Sequence, residues 1–283
     1  MVISKNLLLE LKRIMKEYDF KPKKRFGQNF LVNLKVIESM IDYASITPKD
    51  VVLDAGAGVG FITEQLATKC SKVIAVELDK RLTRILMDRL KHLSNVEIIE
   101  GDILKIKIPN FNKVVSTPPY YISSQFLFWL LDRKFDCAVL TFQKEFAERL
   151  TAEVGSENYG RLTITAYYKA EVETLDFVSK RAFYPQPDVD SIITRLKPRR
   201  KPPFEVENER LFFEIVKILF SHRNKLVRRV LFHYLKSLGF SDEKIKSFLS
   251  SLSYANVRIR SLDPKHVAEI SNILHEFLSA EIS

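Results

Sequence analysis

Four short stretches of this chain hold residue types that can do chemistry. In DAGAGVG, Asp54 to Gly60, three glycines two apart remove Cβ atoms where backbone must come close to a ligand, and an acid stands two residues before the first. KVIAVELD ends in Glu77 and Asp79, and VEIIEGDIL leaves through a glycine into Asp102. An acid at the carboxyl end of a second strand can hydrogen-bond both ribose hydroxyls of a nucleoside, and Asp102 can accept from an adenine amine. Each acid alone would equally fit a helix cap or a solvated turn, and Asp79 reads better as the cap of KRLTRILMDRL. In register at successive strand ends, Glu77 and Asp102 reinforce one another. The fourth stretch, KVVSTPPYYIS, sets a hydroxyl at Thr117, a backbone carbonyl at Pro118 and a flat aromatic face at Tyr120 just where two prolines stop a strand.

The exocyclic amine of a base is a poor nucleophile because its lone pair is delocalised into the ring. Acceptors that bind its hydrogens pull the nitrogen toward a tetrahedral geometry while an aromatic ring stacks on the extruded base. Thr117, Pro118 and Tyr120 have the types for that work, although a diproline-tyrosine by itself is also what a plain turn needs. The glycine turn decides between the two. It is not the dinucleotide fingerprint, whose third glycine would stand where Phe61 does. Asp54 would repel a pyrophosphate and suits a cationic ligand or its ammonium group. D-x-G-x-G-x-G resembles the first motif of S-adenosylmethionine-dependent methyltransferases. No metal or covalent intermediate is required, because a sulfonium-borne methyl is already activated and alignment is what remains.

The elements that must hold these stretches follow from periodicity. Val51 to Leu53 form a short apolar run suited to a parallel strand, and FITEQLATK continues as a helix. Val73 to Val76, VEIIE and KVVS supply further strands, and the alternation in RLTITAYY and in VDSIITRL predicts two late strands of a seven-stranded mixed sheet. Residues 1–19 predict a helix with Leu7, Leu8, Leu11, Ile14 and Met15 on one side, and residues 33–45 another with Val36, Ile37, Met40 and Ile41 buried. The proline-interrupted basic stretch KPRRKPP, 197–203, predicts a boundary between a methyltransferase-like domain, 1–198, and a smaller all-helical one, 199–283, with Ser241 and Asp263 as caps.

A chain of 283 residues with 46% hydrophobic and 28% charged residues is globular in composition. No apolar run reaches membrane-spanning length, and the charged start without a small-residue cleavage site argues against a signal peptide. Cys70 and Cys137 lack metal-ligand spacing and fit buried thiols of a cytoplasmic protein, and five scattered histidines predict no metal site. The net charge of +10 resides at the two ends: residues 1–30 carry eight Lys/Arg against three Asp/Glu, and residues 199–283 carry fifteen against ten. Basic flanks on a neutral body fit a polyanion held from both sides. Lys23, Lys24 and Arg25 in KPKKRFGQNFLVN, and Arg223, Lys225, Arg228 and Arg229 near one helix start, are the backbone-contact candidates. An exposed turn or a solvated helix face would account for either group equally well.

FGQNFL, DAGAGVG, VELD, EGDIL, PPYYISS, QKEFAERL, NYGRL, AFYPQPDVDS and FSHRNKLVRRVL stand in one order over residues 20 to 275. In that combination the chain resembles the small-subunit ribosomal RNA adenine N6-dimethyltransferases, the KsgA family with its archaeal and eukaryotic counterparts. The resemblance implies a Rossmann-like α/β methyltransferase fold binding S-adenosyl-L-methionine. It implies Asn29 and Leu31 against the methionine end, Gly56 beneath it, Glu77 on the ribose, Asp102 on the adenine, and Thr117 joining cofactor and target base. It further implies Phe183 stacking on the target from the side opposite Tyr120; from its own surroundings Phe183 reads as core. The family usually has Asn-Leu-Pro-Tyr where this chain has Thr117-Pro118-Pro119-Tyr120. A hydroxyl is shorter than a carboxamide, so catalysis is expected to be weaker or the ratio of mono- to dimethylated product altered. The expected partner is the assembling small ribosomal subunit, met by a cytoplasmic monomer. A ribosome-assembly factor that keeps the fold without catalysis is the alternative from another class. A DNA adenine methyltransferase is disfavoured by the lack of a separate target-recognition domain.

Overall fold

The apolar run that begins at Val51 becomes the central strand of a sheet. In the computed structural model, which describes residues 6–280, an amphipathic helix α1 (Leu7–Glu17) is followed by β1 (Phe30–Leu31), α2 (Leu34–Tyr43), β2 (Val51–Ala55) and α3 (Phe61–Ala67). There follow β3 (Lys72–Glu77), α4 (Lys80–Leu90), β4 (Val96–Glu100), β5 (Lys113–Ser116), α5 (Ser123–Leu131), β6 (Cys137–Gln143) and α6 (Lys144–Leu150). The remaining elements are α7 (Arg161–Lys169), β7 (Ala170–Val178), β8 (Phe183–Tyr184), β9 (Ser191–Pro198), α8 (Glu209–Phe220), α9 (Val227–Ser237), α10 (Asp242–Ser251) and α11 (Pro264–Ala280). The first five residues of the helix expected over 1–19 lie outside the described residues. Within it, Leu7, Leu11 and Ile14 are the buried side, and Asn6 caps it by accepting from Leu9 N.

The sheet has seven strands in the order β4-β3-β2-β5-β6-β9-β7, parallel except for β9, which runs antiparallel to both neighbours. Because β2 pairs with β3 on one side and β5 on the other, the strand order reverses there. Chain leaving the carboxyl ends of β2 and β5 diverges at this point and opens a crevice, the usual place for a ligand in such sheets. The glycine turn and the Thr117-Pro118-Pro119-Tyr120 segment are those two exits. Val52, Leu53, Val114 and Val115 are fully buried, as strands covered on both faces require.

Two details differ from the sequence expectation. RLTITAYY is the helix α7, and the strand is the segment after it, β7. The apparent alternation misled because Leu162 through Ala166 and Tyr168 are all buried, so no polar stripe marks the helical period. A strand that no motif announced, β6, supplies the seventh member, with six of its seven residues buried.

The contacts divide the chain into two compact units. One holds the described residues up to Ala147 together with Ala170–Pro198; the other holds Glu148–Lys169 with the described residues from Arg199 on. The sequence-based division at 198/199 would leave 148–169 with the sheet, whereas α7 packs in the helical unit. There Tyr168 meets Phe204, Phe212 and Phe213 at ring separations of 5.1–5.5 Å, and the Tyr159 hydroxyl donates to Leu262 O at 2.7 Å. The wholly buried Phe212, Ile215, Val216 and Leu219 on α8 each contribute roughly 1.5–3 kcal/mol to that core. Ser241 and Asp263 cap α10 and α11 by accepting from Lys244 N and Lys265 N. Among the described residues no helix is long and apolar enough to cross a membrane, and no cluster of His, Cys, Asp or Glu could hold a metal ion.

Candidate active site

The glycine turn is built by its own hydrogen bonds. Gly56 N and Ala57 N both donate to Val76 O, at 2.8 and 3.1 Å, which lashes the end of β2 to the end of β3. Gly58 N donates to Glu77 Oε2 at 2.8 Å, and Asp79 N to Glu77 Oε1 at 2.8 Å. Both oxygens of Glu77 are thereby fixed, each keeping lone-pair capacity for a further donor. Burial raises the proton affinity of this carboxyl, opposed by the backbone N–H groups of Asp79 and Gly58.

Neighbouring protein explains the missing Cβ atoms at Gly56 and Gly58. At Gly56, with φ +80°, a Cβ would stand 3.2 Å from Pro119 Cδ; at Gly58, with φ +60°, it would stand 3.1 Å from the Phe30 ring. The turn is thus closed on by the FGQNFL and TPPY segments. β1 is positioned by pairing with β8, Phe30 opposite Tyr184 and Leu31 opposite Phe183. That small ribbon brings the FGQNFL and FYPQP motifs together.

Around the turn lies a cleft. Asn29, Leu31, Gly56, Glu77, Asp102 and Thr117, the six residues expected at a cofactor, all line it. Asp102 also accepts from Leu104 N at 3.1 Å and pairs with Lys105 Nζ at 3.5 Å, so its turn-capping role and its place on the wall coexist. A second, smaller cavity is lined by Thr117, Pro118, Tyr120 and Phe183, the four residues expected at the reacting base. Gly27, Asn29, Thr117 and Pro119 belong to both walls, so Thr117 stands at the junction. The Tyr120 hydroxyl lies 2.6 Å from Ser191 Oγ, and burial shifts this phenol upward.

Asp54, read in the sequence as suited to a cationic ligand or its ammonium group, is a wall of the cleft and 1% exposed. Its Oδ2 accepts from Thr63 Oγ1 at 2.7 Å, whereas its buried Oδ1 has no partner. Burial pushes its pKa up to about 7 against the Thr63 hydrogen bond, with the nearby Glu77 charge adding to the rise. An unpartnered buried carboxylate oxygen, a turn without Cβ atoms and a clamped glutamate together fit a ligand with a cationic amine and a hydroxylated sugar. Two residues escaped sequence reasoning. Gln28 accepts from Lys23 N at 2.7 Å and donates to Asp79 Oδ2 at 2.9 Å, bracing the basic loop against the end of β3. Tyr121, half-exposed on the cleft wall, was signalled only by the doubled tyrosine.

The basic candidates divide. Lys24 and Arg25 are exposed and Lys23 half-buried, with Lys23 and Arg25 over the Phe26 ring at 5.7 and 4.8 Å. In the helical unit Lys225, Arg228 and Arg229 are exposed. Arg223 is half-buried and donates to Glu157 O and, at 2.6 Å, to Ser156 O. Its guanidinium fastens a loop, which the sequence did not signal.

Known proteins match this chain over most of its length. The model of the ribosomal RNA adenine dimethylase family matches residues 19–275. A probable ribosomal RNA small subunit methyltransferase A of Pyrococcus abyssi is 41% identical over 93% of this chain and 96% of its own. Its counterpart in Methanosarcina acetivorans is 40% identical over 95% and 99%. Among solved structures, a dimethyladenosine transferase from Plasmodium falciparum superposes with a TM-score of 0.74 at 30% identity, covering 87% of this chain and 96% of that one. The 23S rRNA methyltransferase ErmE superposes with 0.66 at 27%, covering 87% and 100%. With most of its length matched by the family model and by these relatives, the chain belongs to the ribosomal RNA adenine dimethylase family.

Proposed function

We propose that this protein methylates N6 of adenine in small-subunit ribosomal RNA, using S-adenosyl-L-methionine, during assembly of the subunit in the cytoplasm. The observation that carries the reading is the junction at Thr117, where a cleft with three acids on its walls meets a smaller cavity with two aromatic walls. The family and the names of the 40–41% identical relatives support small-subunit RNA as the substrate.

In the cleft, Glu77 would hold the ribose hydroxyls, Asp102 the adenine amine and Asp54 the ammonium, with Asn29 and Leu31 along the methionine chain. The bound cofactor supplies an activated methyl group on a sulfonium. The protein supplies position: Tyr120 and Phe183 stack the extruded adenine, and Thr117 Oγ1 and the Pro118 carbonyl accept from its amine and turn the lone pair outward. The exposed Lys24, Arg25, Lys225, Arg228 and Arg229 are suited to RNA phosphates, with target choice resting on RNA shape.

The test is incubation of the protein with undermethylated small ribosomal subunits and labelled cofactor, followed by mass spectrometry of the nucleosides. N6,N6-dimethyladenosine in the subunit RNA is expected. Tight binding of subunit and cofactor without product would instead favour a non-catalytic assembly factor, the reading for which Thr117 in place of asparagine is the motive.

A further inference from the structure

Tyr120 and Phe183 reach the smaller cavity from segments far apart in the sequence, and both segments are tied to one dipeptide. Ser191, the first residue of β9, is wholly buried and lies opposite Gln143 of β6 and Val178 of β7. Its Oγ is 2.6 Å from the Tyr120 hydroxyl. The preceding residue, Asp190, accepts from Lys180 N through Oδ1 at 2.8 Å, and its carbonyl accepts from Lys144 N at 3.0 Å. Lys180 opens the 3-10 turn Lys180–Ala182 that delivers Phe183, and Ala182 O in turn accepts from Val32 N at 2.8 Å. Residues 180 and 190 therefore close the neck of a compact loop that presents Phe183.

We infer that Asp190 and Ser191 are positioning residues that set the two aromatic walls of the target-base slot against one another. The inference rests on the proposed adenine methylation. A tyrosine ring held only by packing can swing about its side-chain torsions, and a second hold at the far end of the ring removes that freedom. Since Ser191 is sealed from water, no solvent molecule takes over its hydrogen bond when the hydroxyl is removed. Through Asp190 the same rigid strand end fixes the other wall, so the slot width is referred to β9 rather than to two independent loops. Neither Asp190 nor Ser191 lines the cofactor cleft.

The test uses the full chain on undermethylated small subunits, with single-turnover rates, cofactor affinity and the mono- to dimethyladenosine ratio at matched extent of reaction. Ser191→Ala and Tyr120→Phe should each slow transfer about tenfold, and the double variant no further than either one, because they remove the two ends of one hydrogen bond. Both should leave cofactor affinity unchanged and raise the monomethyl share, since a loosened slot holds the bulkier methylated amine less well. A mere loss of folded protein would slow both transfers alike and leave that ratio untouched. Asp190→Ala should slow transfer, whereas Asp190→Asn, which keeps an acceptor for Lys180 N, should retain most of the rate; this pair decides the matter if Ser191→Ala does not fold. Losses that multiply in the double variant, or Ser191→Ala and Asp190→Ala at the wild-type rate and product ratio, would overturn the inference. Failure of the wild-type chain to transfer any methyl group would instead overturn the methyltransferase reading beneath it.

Discussion

Thr63 Oγ1 donates to Asp54 Oδ2 at 2.7 Å while Oδ1 of the same carboxyl, equally sealed from water, has no partner. One hydrogen bond does not offset the burial of a full negative charge, so the pKa rises to about 7. The sign of the consequence is fixed. The folded state retains between about pH 4 and pH 7 a proton that the unfolded chain releases, so this group makes stability fall as pH rises through that window, by on the order of 2–4 kcal/mol. Asp54→Asn keeps an acceptor for Thr63 and removes the charge. Its melting temperature relative to wild type should therefore improve from pH 5 to pH 8 in the ligand-free protein. A constant difference across that range would contradict the assignment.

With the ammonium held by Asp54 as proposed, the same carboxyl would set a pH dependence for the cofactor. Only the ionised form attracts an ammonium, so cofactor affinity should climb as pH rises through about 7 and flatten once Asp54 is charged. Glu77, whose pKa is also raised, lines the same cleft and would steepen the climb. Calorimetric titration of S-adenosylmethionine at several pH values, with Asp54→Asn as the comparison, separates the two. The variant should bind more weakly at pH 8 and retain only the Glu77 part of the slope.

Gly58 tests what the glycine turn excludes. An alanine there combines φ +60° with a Cβ 3.1 Å from two carbons of the Phe30 ring, next to Asn29 and Leu31 on the cleft wall. Gly155 has a comparable φ of +84° with nothing within 4 Å. Both alanine variants should lose about 1–2 kcal/mol of stability to backbone strain. Only Gly58→Ala should also lose cofactor affinity, by roughly tenfold or a little over 1 kcal/mol. Equal cofactor affinities in the two variants would show that Phe30 gives way without moving the wall.

Much of this site is legible in the sequence because it is made at strand ends, where a few residues decide the outcome. Glu77, Asp102 and Thr117 could be placed on one edge once three parallel strands had been read, since parallel strands expose their carboxyl ends together. The order β3-β2-β5 that makes the crevice is not written in any of those strands; it is a property of the pairing. Asp54's isolation and the Ser191 contact with Tyr120 are likewise products of tertiary packing, invisible at sequence separations of 9 and 71 residues. α7 misled for a related reason: a helix buried nearly all round has no polar face to announce its period.

The basic residues near 223–229 divide into a half-buried fastener and exposed side chains proposed to meet RNA, and binding measurements can separate the two. Arg223 supplies hydrogen bonds to the carbonyls of Ser156 and Glu157, so Arg223→Ala should lower stability by about 1–3 kcal/mol. Arg228 and Arg229 are exposed, and alanine at either should leave stability within about 0.5 kcal/mol. Each should instead weaken binding to small subunits and reduce the salt slope of that binding by about 1. A stable Arg223→Ala variant with a reduced salt slope would reverse the two roles.

Thr117 stands at the junction of both cavities with a hydroxyl where the family resemblance leads one to expect a carboxamide. A threonine oxygen is carried one bond closer to the backbone than an asparagine oxygen, so it reaches less far toward an amine in the smaller cavity. Removing it altogether with the near-isosteric Thr117→Val should slow transfer by roughly ten- to a hundredfold, the worth of one hydrogen bond to a developing charge. Thr117→Asn should act in the other direction, speeding transfer or lowering the monomethyl share. The second transfer should respond more strongly than the first, because only one N–H then remains for an acceptor to orient. The measurement is the time course of mono- and dimethyladenosine on undermethylated small subunits. If Thr117→Val matches the wild type in both phases, the hydroxyl is not an acceptor and orientation falls to the Pro118 carbonyl alone. If Thr117→Asn changes neither rate nor ratio, the shorter reach of threonine carries no penalty in this site.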